Sequence, residues 1–256
     1  CNIELFAPLA FLISKFYKIP YTVTVHGTNG LLPKKKWSYS HSFKNASRLI
    51  CVSNFTKNRL VEEGVIGEYE VIISGVNKNI FKSQELFNKE NIILFVGNYK
   101  KRKGFDFLLE ALILLKNDLS DFTLYFVGNI NFNSLDHIKY SKIAAKHKIN
   151  IKYFNNVTDT QLVQIYNKAK LNILPSFSSR YNFEGFGLIH LESISCGTLT
   201  VGTFNSGNED AIHSENGFLV NYGDTIELKN IMFQVMTNKD YPKINSTLIN
   251  DWNDTA

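Results

Sequence analysis

Cysteine is scarce: the 256 residues hold three, Cys1, Cys51 and Cys196, at spacings that match neither a disulfide framework nor a metal knuckle. Cys51 and Cys196 sit beside apolar residues, which predicts buried free thiols, and the chain reads as cytosolic and reducing. Long apolar runs are missing too. The longest candidate near the start, residues 5–25, is broken by Pro8, Lys15, Lys18 and Pro20, so no spanning helix is expected. No Asp-x-Asp sequence occurs, and the six histidines, at 26, 41, 137, 147, 190 and 213, lack metal-ligand spacing, so neither a metal nor a cofactor is expected. Strong charge of one sign is absent as well: 28 basic against 23 acidic residues leave a net charge of +5. That balance suits phosphorylated ligands or anionic lipids, and the short basic run 100–103 lacks the aromatic interleaving of a nucleic-acid binder.

What is present is 44% hydrophobic content, enough for a sizeable core in one large or two smaller domains. Short β-branched and aromatic runs alternate with segments of helical period, the pattern of parallel strands joined by crossover helices, so the fold class is α/β. Strands are predicted at 21–25, 48–52 and 70–73, with a helix capped by Ser53 and ended by Gly64. The pattern lapses over the polar segment 77–91, which divides the chain into a partial N-terminal unit, 1–84, and a C-terminal unit, 85–256. Past the lapse, strands at 92–96, 123–127, 149–154, 171–174 and 198–201 alternate with helices at 104–116, 134–148 and 159–169, one after residue 184 and one after Asp224. A doubly wound sheet of this kind binds ligands beyond the carboxyl ends of its strands, so the loops after 96, 127, 174 and 201 are expected to share one crevice. The chain opens on Cys1 and stops after "NDWNDTA", and the expectation is a fragment.

The segment "NFEGFGLIHLESISCG", 182–197, carries Glu184 before a Gly-Phe-Gly step and Glu192 eight positions later. Read as one helix, eight residues rise about 12 Å. Glycosidases pair carboxylates at about 5 to 9.5 Å, so hydrolysis across one glycosidic oxygen is disfavoured. Gly185 and Gly187 leave backbone N–H groups unobstructed where a strand gives way to a helix, a place for a pyrophosphate. Glu192 can then accept from a ribose and Glu184 from hydroxyls beyond the phosphates, which describes a nucleotide sugar. Taken singly, each glutamate reads as readily as a solvated helix residue or a carboxylate complementing the helix dipole.

With these residues in view the chain resembles family 4 of the retaining, GT-B-type glycosyltransferases along nearly its whole length. "EGFGLIHLESISCG" resembles the family's Glu, seven residues, Glu signature, and "ILFVGNYKKRKGFDFLLEAL" its strand, loop and helix with Lys103-Gly104 in the matching place. "FNSGNEDAIHSENGFLVNYGD", "TVTVHG", "LICVSNFTKNRL" and "VIISGVNKNIF" each resemble a family segment, in the family's order. The resemblance implies two Rossmann-like domains with parallel sheets facing a cleft, the N-terminal one incomplete here. It further implies Lys103 on the donor diphosphate, Glu184 on the donor sugar, Glu192 on the ribose and His26 beside the sugar from across the cleft. Glu184, Lys103 and His26 are thus the expected catalytic set, and Gly97, Asn98, Lys103, Glu184, Gly185, Phe186, Gly187, Leu188 and Glu192 the expected donor-binding set. This sequence departs from the family at Asn98, where an arginine is usual and Lys100, Lys101 or Arg102 can compensate, at Ser206-Gly207 in place of a glycine pair, and at Asp210 in place of a glutamate.

The implied activity is metal-independent hexosyl transfer, with retention, from a nucleotide sugar to a sugar or lipid-linked acceptor in polysaccharide, lipopolysaccharide or glycolipid synthesis. Two alternatives stay open: a nucleotide-sugar epimerase of similar shape, and a non-catalytic nucleotide-sugar-binding subunit. Residues 6–20 and the segment carrying Lys34, Lys35, Lys36, Trp37 and Tyr39 suggest peripheral contact with the inner face of a membrane. The plainer reading of that segment is a solvated loop.

Overall fold

A computed structural model describes residues 1–27, 36–84, 86–238, 241–242, 244, 246 and 249–252. The N-terminal part builds a three-stranded parallel sheet in the order β1 (Thr22–Val25), β2 (Arg48–Cys51), β3 (Tyr69–Val71). Around it pack α1 (Ala7–Tyr17), α2 (Lys36–Lys44) and α3 (Asn54–Glu62). Val23 and Val25 alternate with Thr22 and Thr24, and with Leu49, Cys51, Phe43 and Leu60 they form a small apolar cluster that also takes in Phe183 from far along the chain. Ser53 caps α3 as its residue type predicts, its Oγ accepting from the Thr56 N–H at 2.9 Å. Gly64, at φ 71°, takes the left-handed turn that follows the helix. The segment 36–44, read from the sequence as loop, is the helix α2. It ranks Tyr39 and Phe43 on its buried side, a spacing that four residues alone do not distinguish from chance.

Six parallel strands form the second sheet, in the order β6 (Ile151–Phe154), β5 (Thr123–Val127), β4 (Glu90–Val96), β7 (Ala169–Ile173), β8 (Leu199–Thr203), β9 (Gly217–Val220). β9 was not anticipated: "GFLV" is only four residues long and follows a polar stretch, and it joins the sheet as an edge strand in register with β8. The crossovers are α4 (Phe105–Asp118), α5 (Leu135–Lys146), α6 (Asp159–Lys168) and α7 (Leu188–Ser195), with α8 (Thr225–Thr237) last, capped by Asp224.

Successive residues of β4 serve opposite faces, as the pleat requires: Ile93 and Phe95 enter a core with α4, Phe126 and Met232, and Ile92 and Leu94 enter another with Val163, Tyr166 and Ile194. Val76, Phe81 and Ile249 join this second core, and the backbone of Val76 exchanges hydrogen bonds with Asn250 and Trp252. Strand order runs outward from β4 in one direction and from β7 in the other. The switch point therefore lies between their carboxyl ends, where open α/β sheets bind ligands. The four expected loops meet in pairs at this end of the sheet. A Cβ on Gly128, after β5, would stand 3.0 Å from the Gly97 carbonyl carbon after β4, and Thr203, ending β8, donates to the Ser176 carbonyl after β7 at 2.6 Å. No helix among the described residues is long and apolar enough to cross a membrane.

Candidate functional site

β4 ends at Val96, and the chain turns through Gly97 and Asn98 into a short 3-10 turn, Lys101–Lys103, before α4. Gly104 closes the turn at φ 67° and packs its Cα against the Pro175 carbonyl after β7, so the two sides of the switch point touch through a position that tolerates no side chain. This turn aims Arg102 and Lys103 across the gap. Both meet Glu184: the guanidinium donates to Oε2, and the Lys103 ammonium lies 2.8 Å from the same oxygen. Glu184 is 8% exposed. Burial pushes the Lys103 ammonium below its ordinary pKa, and the Glu184 carboxylate beside it opposes that fall. Two cations thus converge on one carboxylate, holding positive charge at the strand ends where an anion would enter.

The structure corrects the premise that one helix carries both glutamates. α7 begins at Leu188 with Gly187 at its N-cap, so Glu184 belongs to the loop before it. Glycine at 185 and 187 delays the helix because the chain must first pass close to two other segments. A Cβ on Gly185 would stand 3.0 Å from the His26 carbonyl carbon, and one on Gly187 would stand 2.8 Å from Asn208 Oδ1. The argument from helical rise therefore does not apply to this pair. Glu192 lies inside α7, half-buried, and its Oε2 accepts from the Tyr166 hydroxyl of α6 at 2.9 Å. Burial raises its carboxyl, with the Tyr166 hydrogen bond opposing.

A cavity of about 510 Å³ opens beside the Arg102–Glu184 pair and is lined from the N-terminal side by Glu4, His26 and Gly27. His26 is exposed, its Nε2 2.9 Å from the Asn2 carbonyl oxygen and its backbone N–H donating to Glu4 Oε2 at 3.2 Å. The predicted catalytic residues Glu184 and His26 therefore face one cavity, with Lys103 bonded to Glu184 behind it. Of the predicted donor set, Gly97 follows β4, Gly185 lines the cavity against His26, Phe186 is half-buried against the second core, Leu188 is 40% exposed in the first turn of α7, and Glu192 sits deeper. Asn98 turns back on its own loop, its Oδ1 accepting from the Lys100 N–H at 3.0 Å, and Arg102 supplies the guanidinium at this site.

Sequence reasoning missed how the two sheets are joined. The Gly185 carbonyl accepts from Ser53 Oγ at 2.6 Å and Thr56 Oγ1 at 3.3 Å, the N-cap and a first-turn residue of α3. Asp210 reaches the same helix end, accepting from Asn54 Nδ2 at 2.7 Å and the Phe55 N–H at 3.1 Å, where a carboxylate also complements the helix dipole. At the far end Arg180 pairs with Glu63 at 2.7 Å. Glu4 was missed as well. A lone glutamate in an apolar stretch carries little signal until the fold shows what it faces.

Comparisons with known proteins place the chain in a family. A model of the family described as glycosyl transferases group 1 matches residues 76–247. The chain belongs to that family. A second model, glycosyltransferase family 4, matches residues 2–79. Among curated relatives, an uncharacterized glycosyltransferase, MJ1178, of Methanocaldococcus jannaschii is 26% identical over 238 residues, 91% of this chain and 63% of its own length. The capsular polysaccharide biosynthesis glycosyltransferase CapM of Staphylococcus aureus is 22% identical over 196 residues, 70% of this chain and 49% of its own. The chain thus spans less than two thirds of the length of these relatives. Among solved structures, HepE of Anabaena in complex with UDP and glucose superposes with a TM-score of 0.77 at 19% identity, covering 92% of this chain and 67% of that one. The fold is that of the GT-B glycosyltransferases.

Proposed function

We propose that this glycosyltransferase moves a hexose from a nucleoside-diphosphate sugar to an acceptor hydroxyl, with retention at the anomeric carbon and without a metal, residues 85–256 holding the donor and 1–84 facing the acceptor. The observation that carries this is the convergence of Arg102 and Lys103 on Glu184 at the switch point. In the reaction the acceptor oxygen bonds to the anomeric carbon, the bond from that carbon to the diphosphate oxygen breaks, and the acceptor proton passes to the leaving diphosphate. Negative charge grows on the leaving group. In this reading Arg102, Lys103 and first-turn amides of α7 stabilise it, and such preorganised donors are worth most in a partly dry site. Glu184, released from its cations as the diphosphate takes them, is free to accept from hydroxyls of the transferred sugar. Glu192 accepts from the ribose. The sequence has no Asp-x-Asp pair to bring a metal.

CapM, named for capsular polysaccharide biosynthesis, favours a surface polysaccharide or glycolipid as the product class. Work at the cytoplasmic face of a membrane fits such a product, and the exposed Phe16 of α1 and Trp37 of α2 suit contact with it. Lys34 and Lys35 lie outside the described residues. Because HepE was solved with UDP and glucose, UDP-glucose is the first donor to test. A matching donor at about 100 times its Kd should stabilise the protein by about 2.7 kcal/mol in a melting assay, and sugar acceptors should accelerate UDP release in the presence of EDTA. If no nucleotide sugar in a panel raises the melting temperature or is turned over, the transferase reading fails. Activity lost in EDTA and restored by Mg²⁺ overturns metal independence, and an inverted anomeric configuration in the product overturns retention.

A further inference from the structure

Tyr166 is the largest of the fully buried side chains among the described residues, yet it carries a polar tip. It stands in the last turn of α6, and its ring meets Phe81 edge-on with 6.3 Å between centroids. The backbone beneath it is pinned. Its carbonyl accepts from Thr198 Oγ1 and, at 3.4 Å, from the Lys89 ammonium of the polar segment 77–91. Thr198 is itself tied to α7, its N–H donating to the Ser193 carbonyl at 3.0 Å and its own carbonyl accepting from Ser193 Oγ at 3.1 Å. Packed in this way the ring holds one orientation, and its hydroxyl donates to Glu192 Oε2 at 2.9 Å.

A phenylalanine would fill the same core, so packing does not account for the hydroxyl. Burying an O–H is unfavourable unless it is bonded, and here the bond goes to a carboxylate that is itself costly to desolvate. Burial raises the Glu192 carboxyl, and Asp159 in the first turn of α6 adds to the rise. The Cys196 thiol, just past the end of α7, is pushed up to about 12 by burial and stays neutral. Among the described residues no lysine or arginine forms an ion pair with Glu192, and the Tyr166 hydroxyl is the group that favours its charged form. Burial pushes that hydroxyl well above its ordinary pKa, and Glu192 adds to the shift, so it remains a donor at neutral pH. It occupies Oε2 alone. Glu192 is half-buried, and its Oε1 accepts from no described donor, which leaves that oxygen for a ligand.

From this we infer that Tyr166 is a positioning residue for nucleotide binding, its hydroxyl fixing the Glu192 carboxylate through Oε2 so that Oε1 is presented to the ribose hydroxyls of the donor. The same bond keeps the carboxylate charged, the form that accepts from a ribose O–H most strongly. The inference rests on the assignment of Glu192 to the ribose in the transferase reading above.

The test is Tyr166→Phe in the full chain, which removes one oxygen and keeps the ring. Glutamate-selective ¹³C NMR, with the Glu192 signal assigned by its loss in Glu192→Gln, follows the carboxylate's titration without any nucleotide. Loss of the hydroxyl donor should raise its midpoint by about one pH unit, a change of about ten-fold in the ionisation constant. Calorimetry then compares UDP with 2′,3′-dideoxy-UDP. The parent should bind UDP about ten-fold more tightly than the analogue, and Tyr166→Phe should narrow that gap to about three-fold or less at pH 6. As pH falls the variant's carboxylate takes up its proton first. The parent-to-variant ratio of UDP affinities should therefore widen from pH 8 to pH 6, and the ionisation of UDP itself cancels from that ratio. In the Glu192→Gln background, Tyr166→Phe should change UDP affinity by less than about two-fold, since the hydroxyl acts through the carboxylate.

A Glu192 midpoint that does not move overturns the inference. So does a parent-to-variant ratio that is flat with pH and equal for UDP and the analogue, because that reports a repacked core rather than a positioned carboxylate. A parent that binds the two nucleotides alike sinks the ribose assignment, and the inference with it, a failure visible in the parent alone. Should Tyr166→Phe fail to fold, 3-fluorotyrosine at position 166 keeps the hydroxyl as a stronger donor; the Glu192 midpoint should then fall, and a midpoint that stays or rises overturns the inference.

Discussion

Replacing Gly185 with alanine tests whether the two sheets are held together by direct backbone approach at the site. The added Cβ would lie 3.0 Å from the His26 carbonyl carbon, nearer still to its oxygen, and 3.3 Å from Thr56 Oγ1. Those first two atoms are backbone, so relief requires the end of β1 to retreat by roughly 1 Å. The retreat strains the hydrogen bonds from Ser53 and Thr56 to the Gly185 carbonyl. Overpacking of this kind costs about 1 to 3 kcal/mol. For a chain of this size that corresponds to a fall in melting temperature of roughly 2 to 12 °C. Turnover should fall further, since misplacing reacting groups by about 1 Å can cost about 100-fold. Gly27 supplies the control: it lines the same cavity, yet a Cβ there meets nothing within 4 Å. Gly27→Ala should therefore melt within about 0.5 kcal/mol of the parent. Differential scanning fluorimetry of both variants, with UDP release measured on Gly185→Ala, decides the matter. If the two variants melt together and Gly185→Ala turns over like the parent, the close approach of His26 and Gly185 does not organise the site.

Glu184→Gln should abolish most sugar transfer while UDP affinity holds or rises, because Arg102 and Lys103 lose their resident anion; parent-level transfer would remove this carboxylate from the reaction. Glu192→Ala should weaken free UDP binding by about 1.5 to 3 kcal/mol, the range for hydrogen bonds to a charged group, measured by calorimetry, with unchanged affinity counting against the ribose assignment. His190 is wholly buried in α7, with Nδ1 2.6 Å from Thr200 Oγ1, and burial pushes its pKa down to about 3. Its unfolded-state pKa is about 6.5, so between pH 6.5 and 3 the unfolded chain binds the proton that the folded chain refuses, and stability falls as pH falls. That one group contributes a slope of up to about 1.4 kcal/mol per pH unit. Chemical denaturation from pH 7 to 4 should show a flatter acid limb in His190→Gln than in the parent, and superimposable limbs would refute the assignment.

Local rules determined much of this protein from the sequence alone. Alternating Val and Thr at 22–25 made a half-buried strand, Ser53 and Asp224 capped helices as their side chains allow, and Gly64 ended one of them. In the site, Gly-Phe-Gly signals unobstructed amides before a helix, whereas Lys103 and His26 stood out only through the family resemblance. Short elements failed that test. α2 and β9 carry too few residues for a period to emerge, and tertiary contacts decide them.

Tertiary structure alone decided what meets what. Arg102 and Lys103 reach Glu184 across some eighty residues because β4 and β7 lie side by side, an order that no local signal encodes. Glu4 and His26 face that pair because α3 docks on the Gly185 carbonyl and on Asp210 more than 120 residues later. Propensity and periodicity act over a few residues, since they arise from steric and hydrogen-bond terms between near neighbours. A site built from both sides of a cleft depends on strand order and on close backbone contacts, which exist only once the whole chain has packed.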